Sequence, residues 1–116
     1  MDSVKNTVLA RNEAKKLEDA TVVKTTGAVI DYENKSCDKI LLLITNGGAA
    51  AKKLTIVKGD SLQGTEDLEI SVANGVTLGV VVESGKFENV TGDNRGKVVV
   101  KSEDNTSLKV QVVELP

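Results

Sequence analysis

Short stretches in which every second residue is apolar recur through this 116-residue chain, with turn-forming residues between them. Leu68-Glu69-Ile70-Ser71-Val72 alternates strictly, giving one aliphatic face and one carboxylate-hydroxyl face, the period of a half-buried strand. Val76 to Val82 places Val76, Leu78, Val80 and Val82 on one side, and Gly79 marks a bulge or a close approach by a neighbour. Lys53 to Lys58 turns Leu54 and Ile56 inward. Lys39 to Thr45 instead carries five aliphatic residues in a row, Ile40 to Ile44, which predicts a strand at the centre of a sheet with both faces covered. Thr21 to Tyr32 reads as the first strand and Lys86 to Val90 as a further one. Lys97 to Lys101 and Leu108 to Leu115 flank a polar stretch and read as a terminal hairpin. Asn46-Gly47-Gly48 and Asn74-Gly75 are turn signals, because Asn and Gly accept the positive φ of tight hairpins. The first of them predicts that the strands on either side pair.

About seven to eight short, mostly antiparallel strands cannot cover their apolar faces in one open layer, so the expected fold is all-β, a compact β-sandwich or small barrel over residues 21–116. Residues 1–20 differ. Val4, Val8, Leu9, Ala14 and Leu17 have a loose helical spacing that Asn6, Thr7 and Asn12 oppose, leaving a helix and an extended N-terminal arm both open. If the segment is an arm reaching a neighbouring subunit, Val4, Val8, Leu9 and Leu17 are its apolar anchors.

Composition removes most chemistry from this frame. The chain has no His, no Trp, one Cys, one Tyr and one Phe. Without His, neither a Ser-His-Asp nor a Cys-His nucleophile can be assembled, and a zinc site would depend on carboxylates and one thiol. Lone Cys37 forms no internal disulfide and suits a reducing compartment. Gly59 and Gly64 have the spacing of a phosphate-binding loop, but Thr65-Glu66 stands where that loop needs Lys and a hydroxyl. The acidic residues Asp60, Glu66, Asp67 and Glu69, and Glu103 with Asp104, read as solvated loop charge rather than a calcium site. Tyr32 and Phe87 are expected in the core, too few to grip sugar or single-stranded nucleic acid. Fifteen basic and seventeen acidic residues give a net charge of −2, with no pull toward nucleic acid or an anionic membrane. The longest apolar run falls far short of the roughly 20 residues a membrane helix needs, and no signal peptide is read at the start. The expectation is therefore no enzyme, no metal, no cofactor, and synthesis in the cytoplasm.

Asp38 to Asp60 combines an apolar strand, a Thr-Asn-Gly-Gly turn, three alanines and a Lys-Gly-Asp ending, and the chain closes with the strand Leu108 to Leu115 before Pro116. Over residues 21–116 this order of strands and turns resembles small virion proteins of tailed bacteriophages, the head decoration or cement proteins. The resemblance implies a noncatalytic β domain on the capsid exterior that binds the major capsid protein, bridges neighbouring subunits and forms a homotrimer or other homo-oligomer. An immunoglobulin-like binding module of a phage tail or baseplate is the alternative reading.

Overall fold

Aliphatic sides of the alternating segments face one another across two sheets in the computed structural model, which describes residues 1–116. The strands are β1 (Asp2–Ser3), β2 (Asn6–Val8), β3 (Thr21–Val22), β4 (Ala28–Asp31), β5 (Ile40–Asn46), β6 (Lys52–Ile56), β7 (Leu68–Val72), β8 (Thr77–Val80), β9 (Lys97–Ser102) and β10 (Leu108–Glu114). Strands hold 39% of the residues and helical turns 6%. One sheet has the order β1-β4-β9-β6-β7; the other has β2-β10-β5-β8, with β3 also on β10. Pairing is antiparallel except for β1 on β4 and β2 on β10. The molecule measures 39 × 37 × 20 Å, a slab whose thin dimension matches two sheets about 10 Å apart plus their outward side chains.

Eighteen buried residues form one core between the sheets, among them Ile30, Tyr32, Ile40, Leu42, Ile44, Leu54, Ile56, Val98, Val100, Leu108, Val110 and Val112. The all-β sandwich is thus as expected, and Tyr32 and Phe87 both lie in its core. Cys37 is half-buried against it.

Several expected pairings are replaced. There are ten strands rather than seven or eight, because β1, β2 and β3 are two or three residues long and too short to carry a period. The strands on either side of Asn46-Gly47-Gly48 do not pair: β5 and β6 belong to opposite sheets, as do β9 and β10. A turn signal reports that the chain reverses, not which layer receives it. Positive φ is found at Gly75 but not at Asn46, Gly47 or Gly48. Thr21 to Tyr32 is broken at Gly27, φ +98°, so that β3 joins one sheet and β4 the other. Lys86 to Val90 is not a strand; the one-turn helix α1 (Ser84–Phe87) turns Phe87 into the core. No bulge interrupts β8 at Gly79, which pairs with Leu43 in a continuous register.

Residues 1–20 are neither a helix nor wholly detached. β1 lies on the outer edge of β4, Val4 enters the core, and β2 crosses to the other sheet and pairs with β10. β3 covers the rest of that edge of β10. Residues 10–20 form no regular element, and Glu18 binds back, its N–H donating to Thr7 Oγ1 and its carbonyl accepting from Gln111 Nε2.

Candidate functional site

Closing one side of the slab with β1, β2 and β3 leaves the opposite side open, where β7 and β8 are the outermost strands of their sheets. An outermost strand presents unpaired N–H and C=O groups, which proteins ordinarily shield with charge, proline, bulges or covering chain. β7 is shielded: Glu69 pairs with Lys53 at 4.0 Å, and the Val72 carbonyl accepts from Asn46 Nδ2 at 2.9 Å. β8 carries none of these devices. Val76 to Val82 contains no charged residue and no proline.

The ladder to β5 shows which groups of β8 are free. Asn46 N–H donates to the Val76 carbonyl at 3.1 Å, so the Asn46 and Val76 pair is hydrogen-bonded. Antiparallel pairs alternate between bonded and non-bonded, so Leu78 and Val80 bond to β5 while Thr77 and Gly79 direct their backbone groups away from it, and Val81, one residue past the end of β8, follows them if the alternation is carried one step on. All three residues are exposed, and Val81 is 54% accessible.

The outward row of β5 beside this edge is also uncharged, the nearest charge being Lys109 of β10 opposite Thr45. Ile40, Leu42 and Ile44 point into the core, which turns Leu41, Leu43 and Thr45 outward. Leu41 and Leu43 lean toward Gly79: a Cβ placed there would lie 3.5 Å from Leu41 Cδ1 and 4.0 Å from Leu43 Cδ2. Thr45 and Thr77 share a hydroxyl hydrogen bond of 2.9 Å next to them. Farther across the same face, Val113 and Thr7 are buried where residues 10–20 bind back. The covering chain leaves half-buried Leu41 and Leu43 beside Gly79 as an aliphatic strip that reaches the open edge, with exposed Val81 at its end where a cleft begins. Leu41, Leu43 and Thr45 are half-buried, so β5 is fully covered on its inner face, as expected, and partly covered on its outer one.

The four anchors expected in the first twenty residues do not form one exposed set, although the bonds of Lys15 and Glu18 to Val8 and Thr7 bring Leu17 back toward Val8 and Leu9. Val4 is 7% exposed and packs in the molecule's own core, so its side chain is not offered to a partner. Val8 is 53% exposed on β2. Leu9 is half-buried, its N–H bonded to the Glu114 carbonyl, and Leu17 is half-buried beside Glu18.

At the end of β8, Leu68, Val81, Val82 and Phe87 line a cleft of about 270 Å³, rimmed by Glu66, Asp67, Glu83 and Lys86. The nearby acidic residues hold turns. Asp60 accepts from Val90 N–H at 2.7 Å and from the Thr91 hydroxyl, and these bonds draw its carboxyl below the usual range. Asp67 accepts from Lys58 N–H, and Glu103 from Lys53 N–H. Bonds from the Ser107 hydroxyl and backbone likewise lower Asp104. Asp60, Asp67 and Glu103 are exposed loop charge, as expected, and Asp104 is half-buried; the bonds add that all four hold turns. Gly59 and Gly64 meet backbone to backbone, since a Cβ on Gly64 would strike the Gly59 carbonyl oxygen.

Glu88 is raised above its ordinary value, first by burial and then by the charges of Glu33 and Asp31. Burial also pushes the Tyr32 phenol well above its usual range, and its hydroxyl has no partner. No group of three or more Cys, Asp or Glu side chains is placed to hold a metal ion. No helix is long and apolar enough to cross a membrane.

Composition already contained the signal for the missed residues: seven consecutive positions, Val76 to Val82, without charge. Leu41 and Leu43 were hidden by the unbroken aliphatic run, which has no visible inner and outer side. Compared with known protein families, curated proteins and solved structures, the chain matches none.

Proposed function

We propose that this chain is a noncatalytic contact protein, a bacteriophage capsid decoration protein that binds the outer surface of the assembled shell and bridges neighbouring subunits of the major capsid protein. The observation that carries the reading is the uncharged strip of Leu41, Leu43, Gly79 and Val81 running into the unshielded edge of β8. Half-exposed aliphatic surface beside free backbone groups suits docking against another protein, with main-chain hydrogen bonds giving affinity and side chains giving specificity. A rigid sandwich suits the task because little of it must be ordered on binding. Binding only to assembled shells stabilises them by mass action, and many copies add modest contacts over a particle. The resemblance of residues 21–116 to head decoration proteins supports the choice of the shell as partner.

The test mixes the protein with purified empty heads and measures copies bound per particle beside the melting temperature of the shell. The expected result is saturable binding with a raised shell melting temperature, both lost in Leu43→Glu, whose circular dichroism stays native. No copies bound would end the reading. Labelling of host cells by protein that ignores empty heads would favour the tail or baseplate module instead.

A further inference from the structure

We infer that β8 is also a self-pairing edge, and that a second copy of this chain docks on it antiparallel about a two-fold axis through Gly79. The inference rests on reading β8 as a contact edge, and not on the shell as partner.

An antiparallel partner must present its own outward backbone groups in register. On β8 these belong to Thr77 and Gly79, and the same alternation carried one residue past the strand adds Val81, which makes the set symmetric about Gly79. A two-fold axis there pairs Gly79 with Gly79, and Thr77 of each copy with Val81 of the other, so every free group finds a complement. One step farther, Val76 meets Val82, and Glu83 meets Gly75; no like charges oppose one another.

A second feature falls into the same register. Val76 is 37% exposed and, by alternation with Leu78 and Val80, lies on the inward side of its strand. Placed against Val82, Val76 of the second copy lies beside the 270 Å³ cleft that Leu68, Val81, Val82 and Phe87 help to line. The exposed valine of one copy thus meets the aliphatic side of the other's cleft, twice per dimer. The other candidate edges do not compete, because β1, β2 and β3 cover one side and Glu69 and Asn46 shield β7.

Pairing in this way fuses two four-stranded runs into one continuous sheet and sets two Leu41-Leu43-Val81 strips on the same face. A contact this narrow falls below the roughly 1,200 Å² of a stable interface, so the dimer is weak and concentration-dependent in solution. It forms readily where copies are held side by side at effective concentrations of about a millimolar.

The test is sedimentation of the wild-type protein from 10 µM to 1 mM, joined to disulfide trapping. Hydrogen-bonded antiparallel partners have Cα atoms about 5.5 Å apart, within the range a disulfide spans. In a Cys37→Ser background, Gly79→Cys is expected to cross-link to itself under mild oxidation at least tenfold faster than the exposed control Lys101→Cys. Thr77→Cys should not link to itself but should link to Val81→Cys when the two are mixed. The wild type should shift from monomer toward dimer across the series, and Val81→Lys should remain monomeric. A wild type that is monomeric at 1 mM together with Gly79→Cys linking no faster than the control would overturn the inference, as would an oligomer that forms while the Gly79→Cys rate stays at control level. Because no shells are present, dimerisation without shell binding would sink the decoration reading alone, and shell binding without dimerisation would sink the self-pairing alone.

Discussion

Asn46 shows how one polar side chain can decide where the chain goes. Its side chain is fully buried, with Nδ2 donating to the Ala50 and Val72 carbonyls and Oδ1 accepting from Gly48 N–H. These bonds tie the crossing between the sheets to the end of β7. Asn46→Ala leaves two carbonyls and one N–H without their partner, so we expect it to lower stability by about 2–4 kcal/mol in a urea titration. A change under 0.5 kcal/mol would show that water replaces the amide. The same residue shows what single-residue reading misses: a turn former by type, it acts here as a buried hydrogen-bond hub without positive φ. Glu88 sets up a pH effect of known sign. Its folded carboxyl is raised, so the ionised form is disfavoured at neutral pH, and the native protein takes up the proton before the unfolded chain does. Stability from this group therefore rises as pH falls through its folded value. Glu88→Gln is expected to stabilise at pH 7, by about 0.5 kcal/mol or less because the carboxyl is largely solvent-screened, and to have no effect below pH 3. Thermal melts at the two pH values check it; destabilisation at pH 7 would contradict the burial argument.

Strand identity was readable wherever a segment was long enough to show a period. β6, β7 and β8 stand where alternation placed them, and Leu54 and Ile56 of β6 point inward. Pairing was not readable, since β5, β8 and β10 meet through contacts between residues more than 30 positions apart. The first two strands left no pattern because they hold through backbone bonds and one core side chain, Val4. Truncation gives the measure of that. Val4→Ala removes two buried methyl groups and is expected to cost about 1.5 kcal/mol, whereas Val8→Ala on the exposed side of β2 should stay within about 0.5 kcal/mol. Deleting residues 1–9 uncovers the edges of β4 and β10 as well and should cause concentration-dependent aggregation by light scattering. A deletion variant as stable and monodisperse as the full chain would show that these strands are peripheral.

Across the molecule, the side chains divide into an aliphatic core, a set of carboxylates that hold turns, and one uncharged surface at β5 and β8. The contact surface was legible in part: the charge-free run Val76 to Val82 was plain, but its partner strip on β5 required knowing which side of Ile40 to Ile44 faces the core. Amide hydrogen exchange on the free protein and on protein bound to purified shells locates the contact. In the free protein at about 10 µM, where the chain is monomeric, Thr77, Gly79 and Val81 should exchange quickly, having no internal partner, and they should slow at least tenfold on shells, while amides of β4 and β9 stay unchanged. Unaltered exchange at all three positions on protein that is demonstrably shell-bound would contradict the assignment of β8 and the face beside it as the site of contact.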